Sequence, residues 1–549
     1  MNGPLIVQSD NTVLLEAFHP DAATVRQELA VFAELERAPE HIHTYRITQL
    51  GLWNACAAGH TAEEIIETLQ RHAKFPPPAS VEASIRDAAE RYGALTITRD
   101  ETGLLLSSER PDVLTEVAGA KKIAPLLTQK IDENCWRVAD WARGELKQQL
   151  LQRGWPAEDR AGYIDGDPHP MQLTSGDNWQ LRDYQRDAVK AFSKGGSGVV
   201  VLPCGAGKTV VGAAAMVEVS AKTLILVTNA VSARQWRDEL LARTDLDPDD
   251  IGEYSGQVKE IKPITIATYQ ILTSKRAGHY SHLSLLDAQN WGLIVYDEVH
   301  LLPAPVFKLT AELQARRRLG LTATLVREDG REGEVFSLIG PKRFAAPWKE
   351  LENAGFIAPA RCFEVRLELP ADERHEYAVA EDRSRYKIAA ATGAKEQLAR
   401  AILENHKNEQ ALIIGQYISQ LEAIAQALDA PLLTGNTPVD ERETLYTRFR
   451  NGEIKTLVVS KVANFSVDLP DASVAIQISG TFGSRQEEAQ RLGRILRPKS
   501  HAAQASFYSL VTRDTVDQDF AQNRQRFLAE QGYEYTIVDS ADLHTLWEK

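Results

Sequence analysis

The chain contains few residues of the kind that form zinc sites or disulfide frameworks. Four of its 549 residues are cysteine, at positions 56, 135, 204 and 362, and no two of them form a CxxC pair. Neither a zinc ribbon nor a set of disulfides is therefore indicated, and this usage favours a reducing compartment.

Long apolar runs and a basic-then-apolar leader are also missing. No stretch of 18 or more apolar residues occurs, and the chain begins Met1-Asn2-Gly3-Pro4. A membrane-spanning helix and a secretory signal are not indicated, so we expect a cytoplasmic protein with no membrane partner.

The chain has no excess of positive charge. Its 62 Lys and Arg against 76 Asp and Glu give a net charge of -14. This argues against a wholly basic nucleic-acid binder but leaves open a local basic groove in an acidic protein. The length predicts several domains rather than one.

A glycine-bracketed loop between a strand and a helix is the clearest local pattern. Val199 to Val201 precede the loop, which ends in Lys208 and Thr209. Backbone N–H groups of such a loop surround phosphate oxygens at a helix N-terminus, the lysine reaches the β- and γ-phosphates, and the hydroxyl binds Mg²⁺. Leu202 stands where the general pattern has glycine, so the match is incomplete. The residues predicted to bind ATP here are Pro203, Cys204, Gly205, Ala206, Gly207, Lys208 and Thr209.

Paired acids end a later apolar strand. Leu293 to Tyr296 lead into Asp297 and Glu298. In a parallel sheet the carboxyl end of this strand lies beside the phosphate loop. We expect Asp297 to hold Mg²⁺ together with Thr209, and Glu298 to orient or deprotonate the attacking water. The alternative is a strand followed by acidic turn residues, but the combination of both patterns predicts ATP hydrolysis.

A third pattern places polar and basic side chains on one helical face. Gln490, Arg494 and Arg497 share this face at helical spacing. Arginines presented to a nucleotide neutralise charge on the phosphoryl group during transfer. The alternative is a basic amphipathic helix on the surface.

Strand-like and helix-like segments alternate from about residue 176 to the end. This α/β texture predicts two parallel-sheet lobes in tandem, 176–350 and 351–549. The predicted strands are 198–202, 223–227, 263–267, 292–296 and 319–322 in the first series, and 411–415, 431–434, 455–459, 474–478 and 504–511 in the second.

The N-terminal region, 1–115, resembles a winged helix in its order of elements. Two short strands flank residues 9–11, and residues 21–38 have helical spacing. Three further helices follow, the second with a capping box at Thr61 and Glu64, and then a hairpin at 95–106. The third of these helices is not basic, so a packing or protein-contact module is the alternative to DNA contact.

Tryptophans alternate with basic residues between 116 and 175. Aromatic and basic side chains together bind exposed nucleobases and phosphates, but tryptophans also fill small cores, and the pattern does not decide between the two. The residues in question are Trp136, Trp141, Arg143, Lys147, Arg153, Trp155 and Arg160.

These motifs together resemble the XPB family of superfamily 2 helicases. The phosphate loop matches that family with its Pro203-Cys204 and its Leu202, and Asp297-Glu298-Val299-His300 is the family's form of the acidic motif. The resemblance implies RecA-like lobes, ATP and Mg²⁺ as cofactors, and 3′→5′ movement on DNA. It also implies that Arg494 and Arg497 act as arginine fingers.

Further site residues are implied only by this resemblance. Gln185 corresponds to the adenine-sensing amide, and 116–175 to a damage-recognition-like domain. Residues 370–396 correspond to a thumb-like insertion, for which a solvated helix pair is the alternative. The residues implied in coupling hydrolysis to DNA are His300, Thr322, Thr324, Arg327, Glu328 and Asp329.

The sequence therefore predicts an ATP-dependent DNA helicase or translocase, in DNA repair or transcription-linked processing. We expect a nucleoid-associated monomer that acts on duplex or forked DNA, with a nuclease or a repair or transcription protein as a possible partner. The alternatives are a translocase that does not separate strands, an ATP-switched DNA-binding scaffold, and an RNA helicase of the same superfamily.

Overall fold

The computed structural model divides the chain into two compact units. One comprises residues 1–202 and 207–346, and the other comprises 203–206 and 347–549. The structure describes residues 3–547 except 38–40, 175–178, 204, 277–278, 281, 283–284, 287, 304–305, 307–312, 315, 324–331, 347, 355, 357–358, 461–471, 481–504, 531–532 and 534. No helix in this described part is long and apolar enough to cross a bilayer.

The first unit begins with a four-stranded antiparallel sheet. The two strands predicted around residues 9–11 are present, and they pair antiparallel with each other. In spatial order the strands are Leu5–Val7, Thr12–Glu16, Ile42–Ile47 and Ala33–Arg37.

The predicted helix over 21–38 is wrong in its second half. The helix spans Ala22–Leu29, and the strand Ala33–Arg37 follows it. Ala33 and Leu35 are buried while Glu34 is exposed, which is the alternation of a strand. Pairing with Ile42–Ile47 therefore overrides a spacing that also fits a helix.

Three helices and a hairpin follow in the predicted order. The helices are Gln49–Ala58, Ala62–His72 and Ala79–Arg91, and the hairpin strands are Leu95–Asp100 and Gly103–Ser107. The capping box at Thr61 and Glu64 is present.

The hairpin belongs to a larger sheet. It forms a five-stranded sheet with strands from the next part of the chain, so one sheet spans the predicted boundary at residue 115. The strand order is Leu127–Asp132, Cys135–Val138, Gly103–Ser107, Leu95–Asp100 and Ala157–Asp159. The helices Pro111–Ala118 and Arg143–Gln152 cover the apolar face of this sheet.

The first parallel-sheet lobe has seven strands, all parallel. From edge to edge they are Ile251–Tyr254, Ile264–Thr268, Thr223–Val227, Leu293–Asp297, Arg317–Thr322, Ser197–Val201 and Lys342–Ala345. The helices of this lobe include Asp183–Gly195, Lys208–Val219, Ala230–Arg243 and Tyr269–Thr273.

The second unit contains another seven-stranded, all-parallel sheet. Its order is Leu432–Leu433, Thr456–Ser460, Ala411–Gly415, Val474–Gln477, Ala505–Thr512, Ala360–Leu367 and Tyr535–Asp539. Its helices include Trp348–Asn353, Ala371–Val379, Asp382–Ala390, Ala394–Asn405, Ile418–Leu428, Val439–Arg450 and Val516–Glu530. The α/β prediction of two parallel-sheet lobes is confirmed.

The segment 370–396 forms a helix pair that is packed against the second lobe. Tyr386 is 2% exposed, and its hydroxyl donates to the carbonyl of Gly480. Lys395, immediately after the pair, donates to Asp517 Oδ2 at 2.8 Å and to the carbonyl of Ile478 at 2.9 Å. These buried contacts anchor the C-terminal side of the segment to the residues that follow the strand Val474–Gln477 and to the helix Val516–Glu530.

Two of the basic residues between 116 and 175 are buried. Arg143 donates to Asp159 Oδ1 at 2.7 Å, and Lys147 donates to Asp159 Oδ2 at 3.1 Å. Lys147 also donates to Gln314 Oε1 of the first lobe at 3.0 Å. Lys147 therefore joins this region to the lobe, and both Arg143 and Lys147 are buried rather than presented on the surface for DNA.

The tryptophans of this region differ in burial. Trp155 is 8% exposed and belongs to the hydrophobic core of this region, with the guanidinium groups of Arg91 and Arg110 over its ring. Trp141 is 64% exposed.

Asp159 is the group on which this buried cluster depends. Burial lowers the pKa of Lys147 to about 8. The negative charge of Asp159 acts to raise that pKa, and the positive charges of Arg318 and Arg143 act to lower it further. We expect Asp159→Asn to leave these cations uncompensated and to lower the free energy of unfolding by about 3–5 kcal/mol. Lys147→Met keeps the Arg143–Asp159 pair, so its cost is smaller. Urea titration at pH 7 compares the two variants, and equal losses would contradict this account.

Candidate active site

The phosphate loop lies at the carboxyl end of the strand Ser197–Val201. Gly207, with φ 80°, caps the helix that starts at Lys208. The left-handed backbone angle favours glycine at this position. A Cβ atom at Gly207 would lie 2.5 Å from Gln185 Nε2, so the end of the Gln185 side chain lies against the loop. The structure thus brings Gln185, predicted to read the adenine, to the loop. Leu202, the departure from the general pattern, is fully buried and donates its N–H to the carbonyl of Thr322 at 2.9 Å.

The paired acids lie at the same edge of the sheet. The strand Leu293–Asp297 and the phosphate-loop strand both flank Arg317–Thr322, and all three are parallel. Glu298 adopts a left-handed conformation with φ 49° and ψ 54°. This costs a non-glycine residue on the order of 1–3 kcal/mol, so the surrounding contacts must hold Glu298 in this conformation.

Lys208 and Glu298 form an ion pair. Lys208 Nζ lies 2.8 Å from Glu298 Oε1, and their side chains are 11% and 21% exposed. The predicted phosphate-binding group is therefore in contact with the predicted water-orienting group.

The two acids have opposite pKa shifts. Burial, followed by the charge of Glu298, raises the pKa of Asp297 to about 6. Burial also acts to raise the pKa of Glu298, but the positive charges of Lys208 and His300 outweigh it and lower that pKa. Glu298 is therefore the group that stays ionised, as a residue that polarises water must.

His300 connects Glu298 to the neighbouring strand. Its Nδ1 lies 3.4 Å from Glu298 Oε2 and 2.6 Å from Thr322 Oγ1. His300 and Thr322 are both buried. A continuous set of polar contacts thus runs from Lys208 to the end of the strand Arg317–Thr322, where the resemblance places the coupling motif.

Two side chains that hold Asp297 were missed in the sequence. Trp236 Nε1 donates to Asp297 Oδ2 at 3.0 Å, and Tyr269 Oη donates to the Asp297 carbonyl at 2.8 Å. Both aromatic residues are buried, and their spacing resembles that of ordinary core residues. The one signal was chemical, because a buried indole N–H or phenol usually needs a hydrogen-bond partner.

Several predicted site residues lie outside the described part of the chain. They are Cys204, Thr324, Arg327, Glu328, Asp329, Gln490, Arg494 and Arg497. Of the predicted metal ligands, Thr209 is half-buried at the start of its helix and Asp297 is at its strand end. Within the described residues, no group of three or more His, Cys, Asp or Glu could hold a metal ion, so a metal here would need oxygen atoms from a phosphate as well.

One edge of the parallel sheet thus carries a glycine-containing loop, a lysine and a pair of acids. This combination defines the class of P-loop nucleotide hydrolases with an α/β fold. Three protein families match consecutive parts of the chain: "Helicase conserved C-terminal domain" over residues 5–132, "Type III restriction enzyme, res subunit" over 178–327, and "ERCC3/RAD25/XPB C-terminal helicase" over 351–546.

Similar proteins cover the chain almost completely. A "DNA 3'-5' helicase XPB" of Kineococcus radiotolerans is 61% identical over 99% of this chain and 97% of its own length. The protein of the same name from Mycobacterium tuberculosis is 58% identical over 99% of both chains. The "General transcription and DNA repair factor IIH helicase/translocase subunit XPB/SSL2" of Saccharomyces cerevisiae is 30% identical over 97% of this chain and 72% of its own. The chain belongs to the XPB family of helicases.

The raised pKa of Asp297 predicts a pH dependence. Its carboxylate must lose a proton to bind a metal, so metal binding weakens as the pH falls through about 6. An ordinary aspartate would remain ionised to about pH 4. Between pH 7 and pH 5 we expect the apparent dissociation constant for Mg²⁺, measured by nucleotide binding, to rise about tenfold.

The control for this measurement is Asp297→Asn. Nucleotide phosphates also titrate near pH 6. The contribution of Asp297 is therefore the part of the pH dependence of the Mg²⁺ dissociation constant that the wild type shows and Asp297→Asn does not. Identical profiles for the wild type and Asp297→Asn would contradict the assignment of Asp297 as a metal ligand.

Proposed function

We propose that this protein is an ATP-dependent DNA helicase of 3′→5′ polarity that works in DNA repair or in the opening of DNA for transcription. The match to proteins named DNA 3'-5' helicase XPB, at 58% to 61% identity over almost the whole chain, supports the substrate and the polarity. The Lys208–Glu298 pair at the phosphate loop supports the hydrolysis.

ATP would bind with its phosphates at the N-terminus of the helix Lys208–Val219. Gln185, at the loop, is the proposed contact to adenine, and Lys208 the contact to the β- and γ-phosphates. Thr209 and Asp297 would hold Mg²⁺, which neutralises phosphate charge when bound.

Phosphate binding and base activation would be linked through Lys208. A γ-phosphate that attracts Lys208 competes with Glu298 for the same ammonium group, and Glu298 is then released to orient a water molecule. Gln490, Arg494 and Arg497, at their helical spacing, are the proposed groups that neutralise charge on the phosphoryl group.

Movement on DNA would begin at His300. This side chain contacts both Glu298 and Thr322, so a displacement of Glu298 changes the contacts at the end of the strand Arg317–Thr322. Thr324, Arg327, Glu328 and Asp329 follow this strand, and we propose that they link it to DNA.

Translocation without strand separation is the second candidate. The yeast relative is named a helicase/translocase subunit of a transcription and repair factor. Such a protein would need a partner, and a repair, nuclease or transcription protein is the kind we propose.

Two assays distinguish the candidates. A helicase displaces a strand from a tailed duplex, in an ATP-dependent way, only when the tail has the polarity of 3′→5′ movement. A translocase removes a third strand from a triplex but leaves the tailed duplex intact.

Single-stranded DNA should stimulate ATP turnover more than RNA of the same length, and the reverse would favour an RNA helicase.

Lys208→Ala should lose nearly all DNA-stimulated ATP turnover because the γ-phosphate loses its cation. Glu298→Gln should lose turnover by about 100-fold or more while it still binds nucleotide, because the amide cannot accept the proton from water. Phosphate release and nucleotide binding are measured on the same preparations.

Lys222→Ala is the matched control for the lysine change. Lys222 lies in the same lobe, where it pairs with Asp167 at 2.9 Å. It should keep wild-type turnover. If Lys208→Ala turned over ATP at the wild-type rate, the proposed hydrolytic function would be wrong.

A further inference from the structure

Trp236 lies on the helix Ala230–Arg243, outside the motifs that define the ATP site. Its side chain is 1% exposed, and its Nε1 donates a hydrogen bond of 3.0 Å to Asp297 Oδ2. The other carboxylate oxygen, Oδ1, accepts the N–H of Glu298 at 3.1 Å. The orientation of this carboxylate is therefore set by one side chain and one backbone group.

The indole itself is held by the helix of the phosphate loop. A Cβ atom at Gly212 would lie 2.4 Å from Cη2 of Trp236 and 3.2 Å from Cδ1 of Leu321. Only a residue without a side chain lets the helix Lys208–Val219 approach the ring so closely. Trp236 thus contacts the helix that starts at Lys208 as well as the aspartate.

Hydrogen-bond partners of metal ligands fix the direction in which the ligand presents its lone pairs. With Oδ2 bound to a rigid indole N–H, Asp297 loses the freedom to rotate about its Cβ–Cγ bond. A phenylalanine at position 236 would fill most of the same space but could not restrain the carboxylate.

We propose that Trp236 is a positioning residue that orients the carboxylate of Asp297 for Mg²⁺ in the Mg²⁺–ATP complex. This inference rests on the proposed ATP-dependent function and adds a residue from outside its motifs. Trp236 would then contribute to Mg²⁺ affinity from the helix Ala230–Arg243, which is not part of any nucleotide-binding motif of the chain.

Trp236→Phe is the direct test. We expect the apparent dissociation constant for Mg²⁺, measured by binding of a fluorescent ATP analogue, to rise about tenfold or more. Binding of the analogue in excess EDTA should not change. The same rise should appear in the Mg²⁺ dependence of ATP turnover, and saturating Mg²⁺ should restore much of that turnover.

Trp291→Phe is the matched control. Trp291 is a fully buried tryptophan of the same lobe, and its Nε1 donates to the carbonyl of Leu285 at 3.1 Å rather than to an acid. It should leave the Mg²⁺ dependence unchanged. If Trp236→Phe and Trp291→Phe both matched the wild type, the proposal would be overturned.

A double-mutant cycle with Asp297→Asn separates positioning from general damage. If Trp236 acts through Asp297, then Trp236→Phe adds no further loss of Mg²⁺ affinity in the Asp297→Asn background. An undiminished loss in that background would overturn the proposal.

Gly212→Ala provides a second route if Trp236→Phe does not fold. Its added methyl group displaces the indole and should weaken Mg²⁺ binding in the same way; unchanged Mg²⁺ binding would overturn the proposal. These outcomes differ from a failure of the proposed ATP-dependent function. If that function were wrong, the wild type itself would bind no nucleotide under any condition.

Discussion

The 2.8 Å contact between Lys208 Nζ and Glu298 Oε1 joins the proposed phosphate-binding group to the proposed water-orienting group. It depends on the order of three parallel strands, since Ser197–Val201 and Leu293–Asp297 end at one edge on either side of Arg317–Thr322. A half-buried ion pair of this kind is strong only while both partners keep their charge. In the proposed mechanism, a phosphate that competes for Lys208 would change the contacts of Glu298, and His300, which contacts both Glu298 and Thr322, would extend that change to Thr322.

Elsewhere the structure uses buried charge to join elements. Asp159 compensates Arg143 and Lys147 where the region 116–175 contacts the first lobe, and Asp517 compensates Lys395 inside the second. Basic residues that alternate with tryptophan thus serve packing as well as surface charge, which is why that pattern alone did not decide between DNA contact and core formation.

Most of the central strands of the two parallel sheets were predictable from the sequence, whereas several other strands were not. The runs ending at Val201 and Asp297 are apolar because helices cover both faces of a parallel sheet. Ala360–Leu367 was not predicted because charged residues interrupt its apolar ones. Ile251–Tyr254 was not predicted because it is short. Ala33–Arg37 was predicted as helix because its spacing fits both structures. Trp236 was missed because nothing in a single sequence shows that the acceptor of its N–H is Asp297.

If Lys208 is shared between Glu298 and the phosphates, removing the carboxylate should free the ammonium group for the nucleotide. Equilibrium binding of a non-hydrolysable ATP analogue to the wild type and to Glu298→Gln, compared at saturating Mg²⁺ and low salt, measures this effect. We expect tighter binding to Glu298→Gln, because the analogue no longer competes with a carboxylate for the ammonium group. Equal or weaker binding would contradict it.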